Sequence, residues 1–131
     1  MSSPSVVLLD TTVLIDILRN RNQRQKLLAD LVASGRELAI STVSVAEVYG
    51  VLRAGEEPAT RALLGGLEWI PVSGEVAERA GRLQAELRSR GQTRGITDMI
   101  IAATAIENGF SVATDNRRDF QMEGLELLPL P

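Results

Sequence analysis

Asp10, Glu47, Asp98 and Asp115 are the residues whose type and placement offer chemistry, because the common alternatives are missing from this chain. It has no cysteine and no histidine, which removes thiolate and imidazole metal sites, cysteine nucleophiles and every serine–histidine–aspartate arrangement. Carboxylates remain. Gathered at about 5 Å they repel by roughly 3 kcal/mol per pair at an effective dielectric of about 20, and a bound cation reverses that sign. Ligand sets made only of oxygen select a hard ion, Mg2+ or Mn2+, which keeps waters and completes its shell with substrate phosphate. Phosphodiester hydrolysis suits such a site, since the ion polarises a phosphoryl oxygen and lowers the pKa of an attacking water.

The elements that must position these acids follow from apolar patterning. Val6 to Leu9 is a continuous apolar run that reads as a strand buried on both faces, with Asp10 at its carboxyl end. Thr12 is expected to cap a helix over Val13 to Arg19, and helical spacing marks Gln23 to Ser34, stopped by Gly35. Leu38 to Ser41 reads as a strand, Thr42 to Arg53 as the helix carrying Glu47, and Pro58 to Leu64 as another helix. Trp69 to Val72 reads as a third strand. Ser73 caps a helix from Glu75 to Arg90, Thr97 caps one from Asp98 to Asn108, and Ser111 to Thr114 and Glu126 to Leu128 are the last strands. Strands alternating with helices predict a three-layer α/β fold, a parallel sheet of four to five strands with helices on both faces, in one domain over 1–131. Ligands collect at the carboxyl ends of such strands, where Asp10, Glu47, Asp98 and Asp115 are expected to converge.

Composition narrows the function classes. Of 131 residues 44% are hydrophobic and 3% aromatic, enough for one aliphatic core but too few rings for a base-stacking platform. A net charge of −3 argues against coating nucleic acid through the overall field. Basic groups concentrate locally from Arg79 to Arg94, a stretch that reads either as a solvated helix face with a flexible loop or as a substrate-facing edge. Met1 to Ser5 does not begin a secretion signal, and no apolar run approaches a membrane span, so a cytoplasmic protein is expected. Apolar residues within Gln23 to Ser34 and Pro58 to Leu64 serve either a dimer face or the monomer core.

Each acid also has a purely structural role open to it. Asp10 can end a strand as a turn residue, and Asp115-Asn116 can form a tight turn. Glu47 can complete a capping box with Ser44, and Asp98 can meet a helix dipole. Asp16 reads as an exposed helix carboxylate, and Asp119 as a surface or N-capping residue. The chemistry rests on combined placement.

These segments also resemble a known family. LLDTTVLIDIL (Leu8 to Leu18) resembles the first motif of PIN domains, in particular VapC-type toxins, with the leading acid at Asp10 followed by Thr11 and Thr12. STVSVAEVYGVL (Ser41 to Leu52) resembles the second, with its acid at Glu47. ITDMIIAATAIENGFSVATDNRRDF (Ile96 to Phe120) resembles the third acid, at Asp98, together with the alanine-rich helix and strand leading to the fourth polar position. Family members carry Asp or Asn two residues after the threonine, which is Asn116, while Asp115 stands one residue earlier; both are expected to line the site. The resemblance implies a Mg2+- or Mn2+-dependent endoribonuclease, a homodimer, acting on RNA and neutralised by a cognate antitoxin protein.

Rival classes fit less well. An aspartate-based phosphatase or a signal-receiver module calls for a well-placed lysine, and the phosphatase also for a second aspartate two residues after the first; here Thr12 follows Asp10, and Lys26 is the sole lysine. A non-catalytic PIN-like interaction module is the remaining rival, in which the acids persist as turns and caps.

Overall fold

The computed structural model describes residues 6–131; the expectation for Met1 to Ser5 lies outside them. The strands β1 (Val6–Leu9), β2 (Glu37–Ser41), β3 (Glu68–Ile70), β4 (Ser111–Ala113) and β5 (Glu126–Leu127) form one sheet in the order β3-β2-β1-β4-β5, every neighbouring pair parallel. Between them run helices α1 (Thr11–Leu18), α2 (Arg24–Ala33), α3 (Thr42–Gly50), α4 (Glu57–Gly65), α5 (Gly74–Ser89) and α6 (Ile96–Asn108), with a short 3-10 helix over Arg117–Phe120. The expected α/β class and three-layer arrangement hold.

The continuous apolar character of β1 has a direct cause. Val7 and Leu9 enter one core with Val13, Leu14 and Ile17 of α1, Leu27 and Leu31 of α2, Val48 of α3 and Leu64 of α4. Leu8 points the other way, into a core with Ile101, Ala102 and Ala105 of α6 and Phe120. Alternate side chains of the strand are thus both covered, leaving no polar face to show in the sequence. The alanine-rich α6 is buried on two sides: Met99 and Ala103 meet Val76 and Ala80 of α5, while Ile101, Ala102 and Ala105 meet the sheet. Small side chains let this helix sit between two neighbours.

Several boundaries differ from the sequence expectation, each for a local reason. Helix α1 starts at Thr11 with Asp10 in the cap position, so Thr12 is inside the helix and its hydroxyl turns back to donate to Asp10. Gly95, not Thr97, precedes α6. Ser41 caps α3 by accepting from the Val43 N–H, which places Ser44 within the helix and removes the expected Ser44–Glu47 capping box. Pro71, which has no N–H to give a ladder, follows the end of β3 at Ile70, short of the expected Val72. The apolar residues Leu27, Leu31 and Leu64 serve the monomer core; on α2 Val32 stays exposed.

Candidate functional site

In the order β3-β2-β1-β4-β5 the chain builds outward from β1 first to one side and then to the other, so the sheet changes direction between β1 and β4. Crevices at such a switch point, outside the carboxyl ends of the strands, are where open α/β sheets bind ligands. Leu9 and Ala113 are register partners across that junction, and the next residues on each strand are therefore neighbours. The Thr114 hydroxyl donates to Asp10 Oδ2 at 2.7 Å, and the Thr12 hydroxyl to the same oxygen at 3.2 Å. Asp10 is 2% exposed. Burial pushes its carboxyl above the usual carboxylate range; the bonds from Thr114, the Thr11 backbone and Thr12 pull back, and the charge of Glu47 adds to the rise.

Glu47 is held one helical turn inside α3. The Thr11 hydroxyl donates to Glu47 Oε1 at 2.6 Å and lies 2.9 Å from the Ser44 hydroxyl. Thr11 has a single hydroxyl proton, so Ser44 donates to Thr11 and Thr11 donates to Glu47, a relay that orients the carboxylate from two buried hydroxyls. Asp98 stands in the first turn of α6. Its pKa is raised to about 6, by burial first and then by the charges of Asp10, Asp119 and Glu47, with Arg94 opposing. Mutual electrostatic influence therefore joins acids from four separate segments.

Asp119 is the member that sequence reasoning missed. It was expected as a surface or capping residue, but the 3-10 helix turns it back toward Asp98. There it accepts from Asn116 Nδ2 at 2.8 Å and lies 3.3 Å from Arg94 Nε. Its spacing of three residues from Asn116 is the signal that a tight helical turn brings the pair together. Asn116 joins the rim, its backbone N–H donating to the Thr114 hydroxyl at 3.0 Å.

Asp115 does not join the group. Its carboxylate accepts from Arg24, whose side chain is 5% exposed and also reaches the Pro131 carbonyl. Thr114 is the residue beside Asp10 at the strand end, and Asp115 is committed to α2 instead. Asp115→Asn is expected to lower the unfolding free energy by about 2 kcal/mol, because it strips a nearly buried guanidinium of its charged partner. Urea denaturation checks this. Asp16, expected to be exposed, is buried and accepts from Asn22 Nδ2 at 2.9 Å.

The donor chemistry fits a hard divalent cation. Asp10, Glu47, Asp98 and Asp119 offer only oxygen, and the carboxyls of Asp10 and Asp98 are raised by burial first and by neighbouring acidic charge second, a charge that a cation would relieve. Among the described residues no three acids stand close enough to hold one ion as a group. The arginines of the 79–94 stretch divide. Arg79, Arg82 and Arg90 pair with Glu107, Glu78 and Glu86 on the surface, whereas Arg94 reaches the acids.

Comparison with known proteins agrees with this fold. The family model described as "PIN domain" matches residues 7–122. The chain is 35% identical over 115 residues to Ribonuclease VapC19 of Mycobacterium tuberculosis, covering 88% of this chain and 92% of that one. It is 34% identical over 117 residues to Ribonuclease VapC10 of the same organism, with 89% and 87% covered. Among solved structures, a toxin-antitoxin complex from Klebsiella pneumoniae superposes with a TM-score of 0.74 at 30% identity, covering 91% of this chain and 94% of that one. VapBC2 from Rickettsia felis, bound to a promoter DNA fragment, gives a TM-score of 0.77 at 26% identity, with 94% and 97% covered. With its acids at the switch point of the sheet and this match running through every segment that carries them, the chain belongs to the PIN-domain family, among its VapC-type members.

Proposed function

We propose that the protein is a Mg2+- or Mn2+-dependent endoribonuclease and the toxin component of a toxin–antitoxin pair, acting in the cytoplasm as a homodimer. The observation that carries this reading is that Asp10, Glu47 and Asp119 lie near enough to Asp98 for their charges, after burial, to raise its carboxyl, while burial raises that of Asp10. The curated names of VapC19 and VapC10 as ribonucleases support the reaction class, and the toxin-antitoxin complexes among the structural neighbours support the partner.

Asp10 and Asp98 would hold the ion, with Glu47 and Asp119 turned toward its water shell. When bound, the ion supplies charge to the phosphoryl oxygens and acidifies a water. The chain's own contribution is orientation and charge. Thr114 and Thr12 fix Asp10, the Ser44–Thr11 relay fixes Glu47, and Arg94 moderates the negative field into which an RNA phosphate must move. Asp98, with a pKa of about 6 in the metal-free site, is largely ionised at neutral pH and ready to meet a cation.

Thr11→Val keeps the shape of the side chain and removes the bond to Glu47. Loss of one charge-assisted bond is expected to lower cleavage about tenfold, with the fold intact by circular dichroism; an unchanged rate would remove Thr11 from the account. The reading as a whole is tested by titrating the metal-free protein with Mn2+. Saturable binding that weakens in Asp10→Asn and Asp98→Asn supports a working nuclease centre, and no binding in the wild type favours a non-catalytic interaction module.

A further inference from the structure

Next to the acids lies a cavity of about 380 Å3 lined by Gly91, Gln92, Thr93, Arg94, Arg118 and Gln121. Among the described residues its charged groups are both cationic, and no carboxylate lines it. The protein carries a net charge of −3, and Arg79, Arg82 and Arg90 of the preceding helix are spent on surface pairs with glutamates. Arg94 joins the cavity to the candidate site: its side chain is 15% exposed, its Nε lies 3.3 Å from Asp119 Oδ1, and its charge is felt by Asp98. Arg94 Nη1 donates to the Thr93 carbonyl at 3.1 Å; its Nε faces the Asp119 carboxylate out of hydrogen-bond alignment and, among the described residues, has no hydrogen-bond partner. An unbonded buried N–H is costly unless something satisfies it. Arg118 is exposed and, among the described residues, makes no hydrogen bond or ion pair, unlike its neighbour Arg117, which donates to the Leu128 carbonyl. Balancing the acid cluster accounts for Arg94 but not for Arg118 on the same cavity.

We infer that this cavity is a phosphate subsite, in which Arg94 and Arg118 hold a backbone phosphate of the single-stranded RNA adjacent to the bond being cut. The inference rests on the nuclease reading above for its ligand. Guanidinium groups bind phosphate through forked, charge-assisted bonds, and here they do so where the acids would otherwise repel the strand. Arg94, shared between cavity and acids, sets the step from the held phosphate to the candidate centre. Thr93, Gln92 and Gln121 supply neutral polar edges.

Two measurements test it. In the metal-free full chain, inorganic phosphate is titrated while the arginine Nε–H resonances are followed by NMR. Saturable shifts are expected for Arg94 and Arg118 above the other arginines, and are lost in Arg118→Gln. With Mn2+ and a mixed-sequence single-stranded 12-mer RNA, Arg118→Gln is expected to place its loss on KM, about tenfold, and to flatten the dependence of log KM on log salt by about 0.7; Arg118→Lys restores part of both. Phosphate shifts that are absent or equal across all arginines, or a variant with wild-type KM and salt slope, would overturn the subsite. Normal cleavage with those negative results removes the subsite and leaves the nuclease standing. Saturable phosphate shifts with no cleavage by any protein keep an anion site and remove the nuclease.

Discussion

Asp98→Asn is expected to lower RNA cleavage by about a hundredfold or more and, in the metal-free protein at pH 7, to raise the melting temperature. The two effects have one origin. Asp98 titrates at about 6 in the folded chain against a reference of 3.8. Below the reference value both states hold the proton, and the folded state has the full benefit of a neutral group there. Between the two values the folded state retains a proton that the unfolded chain has released. As pH rises through about 6 the folded state loses it too, so the stability linked to Asp98 declines across this window and stays lower above it. Asparagine is neutral at every pH and removes the decline. A scan of melting temperature from pH 4 to pH 8 checks the sign: the wild type falls relative to the variant across that window. Adding Mn2+ at pH 7 should reverse the order, because an ion that binds only the folded wild type stabilises it by mass action.

Asp10→Asn is expected to cost at least as much activity and to weaken Mn2+ binding by about 10- to 100-fold, with a smaller change in the fold. Asp10 sits at the end of the central strand β1, buried and fixed by Thr114 and Thr12. Asparagine keeps one oxygen that can accept from Thr114, so the contact between β1 and β4 survives while the charge does not. Replacement by leucine would leave the Thr114 and Thr12 hydroxyls without their acceptor and confuse the loss of charge with a packing defect. Calorimetric titration of Mn2+ into the two proteins, alongside cleavage, separates these contributions. Equal affinity in wild type and Asp10→Asn would mean that the ion is held elsewhere.

The fold was legible because its central strands β1 and β4 are buried on both faces. A run such as Val6 to Leu9 has no polar alternation to confuse it with an edge strand, and the glycines closing the helices, such as Gly109 with φ of +70°, mark their ends directly. Asp10 and Asp98 were reachable because one ends a strand and the other opens a helix, and Glu47 because it lies one turn into the helix that follows β2; a parallel sheet brings those places together. Asp119 and Asp115 were not, and for opposite reasons. The turn that carries Asp119 back to Asp98 depends on a short 3-10 helix with no apolar period of its own. Asp115 is taken by Arg24, a residue 91 positions away, and nothing local announces such a pair. Thr114 escaped notice as a site residue because its role follows from the β1–β4 register, which pairs Leu9 with Ala113 and is invisible without the sheet order. The resemblance placed the fourth polar position at Asn116, whose side-chain amide in the structure donates to Asp119.

The central claim is that these carboxylates, through a divalent ion, cut RNA. Its most direct test is cleavage of a pool of single-stranded and structured RNAs by purified protein with Mn2+ or Mg2+, repeated with EDTA and with Asp98→Asn. The account predicts cleavage that requires the ion and disappears in the variant. Cleavage by wild type that persists in EDTA and is matched by Asp98→Asn would contradict it.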